Sequence, residues 1–205
     1  LAKPRHIEIQ AMRDSHGRFI HLYERECSIQ RRHQKLLEEA PSLAVSTLMR
    51  KRMIDASKAL TKAAKYHGVC TVEFLVDGKN FYFIEVNTRV QVEHPVTEKI
   101  TGIDIIRAGI RIAGKERIPF AQRQVRRNGH AIECRINAED PRFGFAPTPG
   151  KVEELILPAG PGIRVDTHLC PGYTVPSIYD SLIAKVISYG RTRKEAITRM
   201  ERALR

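Results

Sequence analysis

The chain opens on alternation. In His6-Ile7-Glu8-Ile9-Gln10-Ala11-Met12, the residues Ile7, Ile9 and Ala11 share one face of an extended segment, which predicts a strand. Asp14-Ser15-His16-Gly17 supplies turn chemistry, and residues 19–26 read as the returning strand. A dense polar segment follows, Gln30-Arg31-Arg32-His33-Gln34-Lys35. Past Pro41 a helix is expected from Ser46 or Thr47, either of which can cap it. Its apolar positions Leu48, Met49, Met53, Ala56, Leu60, Ala63 and Ala64 fall at helical spacing, and Gly68 is expected to end it. Strands over residues 70–76 and 81–87 flank Asp77-Gly78-Lys79, a hairpin signature. A second helix is expected over residues 103–113, closed by Gly114.

Residues 119–128 are polar and basic and read as a linker between residues 1–118 and a second unit, 129–205. In the second unit, strands are expected over residues 130–137, 152–157 and 163–168, with a Pro/Gly-rich loop at 141–150. Residues 181–188 form a short apolar strand or helix, and Thr192 caps a last helix carrying Ala196, Ile197, Met200, Ala203 and Leu204. The class is mixed α+β.

Composition narrows the partners. The 205 residues carry 35 Lys and Arg against 23 Asp and Glu, a formal charge of +12. Such charge attracts phosphates, but aromatics are only 6%, Trp is absent and no nucleic-acid-binding pattern appears, so no nucleic acid is expected. A phosphate-rich small molecule suits the charge better. No run approaches the ~18 apolar residues of a membrane span, so no membrane is expected either. No leader precedes Leu1, and the lack of an initiating Met suggests a piece of a longer protein. Cys27, Cys70, Cys134 and Cys170 form no CxxC pair, which argues against zinc and for reduced, buried thiols in a cytoplasmic protein.

The richest segment is Glu85-Val86-Asn87-Thr88-Arg89-Val90-Gln91-Val92-Glu93-His94. As extended chain it would set Glu85, Asn87, Arg89, Gln91 and Glu93 on one face over about 26 Å, with Val86, Val90 and Val92 turned to a core. A solvated edge strand would show the same alternation, but its polar face has no reason to mix these groups so finely. Hard cations such as Mg²⁺ take carboxylate and carbonyl oxygens, which Glu85 and Asn87 supply. Glu73 adds a second carboxylate on one condition. A three-residue hairpin loop sets it opposite Phe83 and diagonal to Glu85, roughly 7–8 Å away, whereas another loop length turns it to the wrong face. Arg89 can fork onto a carboxylate or phosphate. Glu93 is a candidate general base, with Arg89 and Gln91 orienting an anionic substrate, and the set suits phosphoryl transfer to a small acid. Gly109-Ile110-Arg111-Ile112-Ala113-Gly114-Lys115 mimics a phosphate-binding loop but carries Glu116 where Ser or Thr is needed, and reads as a helix end.

Residues 85–98 closely resemble the signature of biotin carboxylases, ATP-grasp enzymes. So do Arg25-Glu26-Cys27-Ser28-Ile29-Gln30-Arg31-Arg32-His33-Gln34-Lys35, Glu133-Cys134-Arg135-Ile136-Asn137-Ala138-Glu139-Asp140-Pro141 and Pro147-Thr148-Pro149-Gly150-Lys151. The resemblance implies the C-terminal lobe of an ATP-grasp domain followed by a partial β-rich biotin carboxylase C-terminal domain. It implies that ATP and bicarbonate give carboxyphosphate, which carboxylates biotin on a carrier protein. Glu73, Glu85 and Asn87 would hold Mg²⁺ or Mn²⁺. Lys35, Arg89, Gln91 and the backbone of Val92 would hold bicarbonate with Glu93 as base, and Arg135 would steady the biotin enolate. His6, Gln30, His33 and Leu75, with Glu73 and Glu85, would meet ATP. A carboxyltransferase is the implied partner and a homodimer is common, with oligomeric state and final acceptor left open. The family's N-terminal domain and glycine-rich lid do not appear here, so little catalysis is expected of this stretch alone. Another ATP-grasp carboxylate–amine ligase, or a non-catalytic scaffold, are the competing readings. The run from Arg89 to Glu93 argues against the ligase.

Overall fold

The computed structural model describes residues 3–205, so Leu1, where the first expected unit starts, lies outside the described residues. Its strands in chain order are β1 (Arg5–Arg13), β2 (Phe19–Arg31), β3 (Gln34–Ala40), β4 (Gly68–Asp77), β5 (Asn80–Asn87), β6 (His130–Asn137), β7 (Glu139–Asp140), β8 (Ala146–Pro147), β9 (Gly150–Lys151), β10 (Ile163–Thr167), β11 (Thr174–Val175) and β12 (Leu182–Gly190). The helices are α1 (Thr47–Ala63), α2 (His94–Thr101), α3 (Ile105–Ala113) and α4 (Arg193–Ala203). Eight strands form one antiparallel sheet in the order β10-β12-β6-β3-β2-β1-β4-β5. β7 pairs with β8 and β9 with β11 as two small ribbons.

The polar segment after β2 is the tip of a hairpin. Arg31 pairs with Gln34, leaving Arg32 and His33 as a two-residue loop. Both take positive φ, 52° and 65°, the twist such a loop needs to match its strands. Hydrophobic patterning does not predict β3, because its residues Gln34 to Ala40 are mostly polar. Yet β3 joins the sheet's two halves, pairing Leu37 with Cys134 and Glu38 with Glu133 across to β6.

Period-two alternation then sorts the sheet into two faces. On one, Ile7, Ile9, Val72, Phe74 and Val76 pack under Met49 and Met53 of α1, while Ile132 and Val186 pack under Ala196 and Met200 of α4. On the other, Met12 and Val69 meet Ile105, Ala108 and Ile112 of α3, and Ala40, Ala131 and Ile187 meet Val96 and Ile100 of α2. Glu8 and Gln10 of β1 share this second face and are also fully buried. Burial on both faces leaves β1 without the solvent side that simple alternation implies.

Several expectations change. α1 stops at Ala63 and is capped by Ala64; Gly68 instead opens β4 with φ +141°. The buried stripe of α1 is Met49, Met53, Ser57 and Thr61, with Leu48 exposed. Ser57 and Thr61 tolerate burial because each hydroxyl donates back to a carbonyl one turn earlier, Met53 O at 2.8 Å and Ser57 O at 3.0 Å. Residues 152–157 form no strand: the β9–β11 pairing ends at Lys151 with Thr174, and Ile156 faces solvent. Of residues 181–188, all but Ser181 belong to a strand, β12, and Thr192 caps α4 as expected. Cys27 and Cys70 are buried, Cys134 is half-buried, and Cys170 is exposed, contrary to expectation. Gly109 to Lys115 is the end of α3 with Gly114 as its cap.

Ser46 caps α1 by accepting from Met49 N at 3.2 Å. Ser46→Ala is expected to cost ~1 kcal/mol, measurable as a lower urea midpoint at unchanged slope.

Candidate functional site

The hairpin of β4 and β5 reaches the expected outcome by another route. Asp77 pairs with Asn80, so the loop has two residues, Gly78 and Lys79, rather than three. That register, continued, would set Glu73 against Ile84 and turn Glu85 to the other side. A bulge corrects it: Phe74 pairs with Phe83 and the next pair is Glu73 with Glu85, leaving Ile84 as the extra residue. Glu73 is therefore directly opposite Glu85, not diagonal to it. Asn87 follows on the same face, and its Nδ2 donates to Glu73 Oε1 at 2.9 Å and to Glu85 Oε1 at 3.1 Å.

Beyond Asn87 the chain is not extended. β5 ends there, and the chain turns tightly so that Glu93 becomes the residue before α2. His94 N donates to Gln91 O at 3.3 Å across this turn, and Pro95 fits the first turn of the helix, where its missing N–H costs nothing. Helix α2 escapes a reading of the sequence by periodicity because the alternation continues into its first residues. The turn buries Gln91 and Glu93 and leaves Arg89 exposed, donating to Val90 O at 3.3 Å. Val86 and Val90 do pack against the core, but Val92 lines the cleft instead, and its carbonyl accepts from Lys185 Nζ at 2.9 Å.

Lys35 is the centre of the site. Its Nζ donates to Glu8 Oε2 at 2.6 Å, Glu93 Oε1 at 2.7 Å and Glu73 Oε1 at 3.0 Å. Arg25 lies beneath, wholly buried, with Nε on Glu8 Oε1 at 2.5 Å and Nη1 on Gln10 Oε1 at 2.5 Å and Thr97 at 3.0 Å. Its Nη2 reaches Thr71 at 3.1 Å and Gln91 Oε1 at 3.2 Å, and Gln91 in turn donates to Glu73 Oε1 at 2.7 Å. Arg135 completes the row, bridging Glu38 Oε1 at 2.7 Å and Glu93 Oε2 at 3.0 Å. Five strands and the start of α2 thus converge on one cluster of cations and carboxylates.

Electrostatics keeps the cluster charged. Burial raises the Glu73 carboxyl, but the His6 hydrogen bond and the Lys35 charge and hydrogen bond overcome it and hold it down to about 2. Burial likewise opposes ionisation of Glu8, and the charges of Arg25 and Lys35 prevail, keeping it below the usual carboxylate range. Lys35 is raised against burial by Glu8 and its other acidic neighbours, so it stays an ammonium.

The cluster lines a cleft of about 510 Å³. His6, Gln30, His33, Lys35, Glu73, Glu85, Asn87, Arg89, Gln91, Val92, Glu93 and Arg135 all line it. His6 Nε2 meets Glu73 Oε2 at 2.5 Å, and Gln30 Nε2 lies 3.3 Å from His6 Nδ1. Leu75 pairs with His6 across β1 and β4 but stands outside the lining. The wall also holds Asn137, Asp180 and Leu182, none of which is among the expected site residues.

Glu73, Glu85 and Asn87 fit a hard divalent cation. The Asn87 amide N–H₂ now sits between the two carboxylates as their positive partner, and two carboxylates with an amide oxygen are donors of the right hardness. The other acidic triads are poorer choices. His6–Glu8–Glu73 and Glu8–Cys27–Glu93 both need Glu8, which is fully buried between Arg25 and Lys35 and stands outside the cleft lining, whereas Glu73, Glu85 and Asn87 all line it.

Comparison with known proteins identifies relatives of this fold. Residues 1–120 match the carbamoyl-phosphate synthase L chain, ATP binding domain, and residues 133–205 match the biotin carboxylase C-terminal domain. The chain is 53% identical over its whole length to the biotin carboxylase of Nostoc sp., covering 46% of it. It is 53% identical over 98% of its length to biotin carboxylase 1 of Bacillus subtilis, covering 45% of that protein. The biotin carboxylase domain dimer of the Hydrogenobacter thermophilus 2-oxoglutarate carboxylase, solved with MgADP, ADP and bicarbonate, superposes with a TM-score of 0.95 at 50% identity, over all of this chain and 45% of that one. The chain spans somewhat under half the length of these relatives. With its ATP-binding lobe and its C-terminal unit both matched, the chain belongs to the biotin carboxylase family.

Proposed function

We propose that this chain supplies the metal, bicarbonate and biotin side of a biotin carboxylase centre, which carboxylates biotin with ATP and bicarbonate through carboxyphosphate. The observation that carries the reading is Lys35 Nζ, bonded at once to Glu8, Glu73 and Glu93 beside the Glu85–Asn87 pair. Glu73, Glu85 and Asn87 hold Mg²⁺ or Mn²⁺, which neutralises nucleotide phosphate charge when bound. Lys35, Arg89, Gln91 and the Val92 backbone orient bicarbonate; Arg89 lines the cleft with one donor on Val90 O and the rest of its guanidinium to offer. Glu93 takes the bicarbonate proton, its two oxygens fixed by Lys35 and Arg135. Arg135 faces negative charge developing on biotin. His6, Gln30 and His33 border the nucleotide, with Leu75 beside His6 at the rim.

The reading extends to the whole protein. Residues 119–128 divide the ATP-grasp part from the C-terminal unit; Ile118 and Val125 at this junction are buried in a core cluster. Biotin arrives on a carrier protein, a carboxyltransferase passes the carboxyl group on, and a homodimer in the cytoplasm is the working form.

The test is phosphate release from Mg-ATP and bicarbonate, with and without free biotin, in this chain and in the protein carrying it at its relatives' length. Biotin-stimulated release at that length is expected; ATP turnover indifferent to biotin would sink the reading. In the same protein Glu85→Ala is expected to weaken Mn²⁺ binding by roughly 10-fold or more through loss of a carboxylate ligand, read by Mn²⁺ titration in an electron paramagnetic resonance assay.

A further inference from the structure

Behind Glu93 lies a second acidic pair that the proposed chemistry does not use. Glu38 of β3 and Glu133 of β6 are directly paired across the sheet, on the face covered by α2, and both are fully buried. Side chains at such a pair start roughly 5 Å apart and can meet. Among the described residues, no donor reaches either oxygen of Glu133 or Oε2 of Glu38. Two ionised carboxylates in that position would bury two like charges side by side, one of them without a hydrogen bond. One proton between them resolves this, because a carboxylic acid donates to the carboxylate beside it.

We propose that Glu38 and Glu133 hold one proton between them, and that this shared proton, acting through Arg135, positions Glu93. Glu38 Oε1 already accepts from Arg135 at 2.7 Å while the same guanidinium reaches Glu93 Oε2 at 3.0 Å. With one proton in the pair, Arg135 balances one charge on each side. With none, two carboxylates pull it away from Glu93. The proposal rests on the biotin carboxylase reading for its kinetic consequence, though not for the proton itself.

The surroundings favour retention of the proton. Burial, helped by the charge of Glu93 and opposed by Arg135, pushes Glu38 up to about 7. Burial and then the Glu38 charge push Glu133 well above the carboxylate range, against Lys185 and Arg135. The charged groups that face the pair are Arg135 from β6, Lys185 from β12, Glu93 at the start of α2, and Glu8 from β1. His94, the other titratable group at that end of α2, is engaged with Gln91 O at 2.7 Å. Lys185 is committed to Val92 O at 2.9 Å and to Asp166 at 3.5 Å.

Infrared spectroscopy of the chain with ¹³C-labelled glutamate reads the proton directly. A carboxylic acid carbonyl band is expected at neutral pH, reduced in Glu133→Gln and retained, shifted, in Glu38→Gln. In the protein at its relatives' length, the alkaline fall of kcat for biotin carboxylation is expected to share its midpoint with the loss of that band. Glu133→Gln, whose pair can never carry more than a single charge however alkaline the solution, is expected to move that fall upward by at least one pH unit. A purely structural Glu133 would lower stability without moving the profile. Absence of the band in the wild type overturns the proposal, and so does a band whose loss leaves the kcat profile unmoved. Should Glu133→Gln not fold, the wild-type titration and Glu38→Gln still decide between these outcomes. Failure of biotin stimulation altogether would instead fall on the biotin carboxylase reading, and the band would still decide the pair.

Discussion

Glu93→Gln is expected to lower biotin-dependent ATP turnover by about 10²–10⁴-fold, the span of a lost general base. The amide keeps the shape, and its one oxygen can still accept from Lys35 or from Arg135, which now hold the two Glu93 oxygens at 2.7 Å and 3.0 Å. It cannot take a proton. Lys35 retains Glu8 and Glu73 as partners and Arg135 retains Glu38, so neither cation is left unpaired. The loss should therefore fall on kcat, with Mn²⁺ affinity and the KM for ATP changed only a few-fold, because Glu93 is not one of the three oxygen donors on β4 and β5. Steady-state kinetics at saturating bicarbonate separates these effects. A fall smaller than 10-fold would remove Glu93 from the base role and turn attention to the water or carboxylate that replaces it.

How far this site can be read from sequence depends on the kind of signal each residue gives. Glu85 and Asn87 are legible because they lie on a strand whose alternation is regular up to Asn87. Glu73 reaches the right face although the protein does not meet the condition that the sequence sets for it. Two deviations, a two-residue loop and a bulge at Ile84, cancel to restore it, and no periodicity rule anticipates a cancellation of that sort. Arg89 to Glu93 looks like a continuation of the strand because Val90 and Val92 keep the rhythm of Val86. The signals for a turn are local and different: Pro95 two places after Glu93, and an apolar Val96 and Ile100 at helical spacing. Strand β3 is illegible for a physical reason. Its Glu38 and Glu39 are buried against other polar residues while its leucines are only half-buried, so the usual contrast between inside and outside is absent. The same holds for Glu8 and Gln10, which read as the wet side of β1 and prove to be the floor of the site. Polar cores are invisible to hydrophobic patterning. Only pairing, charge against charge, reveals them.

That polar core makes the second large effect a matter of stability. Arg25→Met is expected to destabilise the fold by about 3–5 kcal/mol, the cost of breaking a buried ion pair from one side. Arg25 is fully buried and spends its donors on Glu8, Gln10, Thr71, Gln91 and Thr97, drawn from β1, β4, the turn before α2, and α2 itself. Methionine fills similar volume but leaves the acceptors Glu8 Oε1 and Gln10 Oε1 without that donor, and each deserted group costs about 1–3 kcal/mol. For a chain of this length the deficit corresponds to roughly 6–20 °C in Tm. Its pH dependence identifies the cause. The Glu8 carboxyl lies below its ordinary value despite burial because Arg25 and Lys35 favour the charged form. Such a lowered group stabilises the wild type fully above the unfolded carboxylate value of about 4.3, and that contribution is lost as pH falls below it. With Arg25 gone the depression shrinks, so the gap between variant and wild type should be widest near neutrality and should narrow in acid. Urea unfolding at pH 7 and near pH 4 measures both. A deficit that stays constant between the two would mean that Arg25 supports the fold by packing alone, and a double-mutant cycle with Glu8→Gln would then show coupling near zero instead of the roughly 0.5–3 kcal/mol expected of partners in contact.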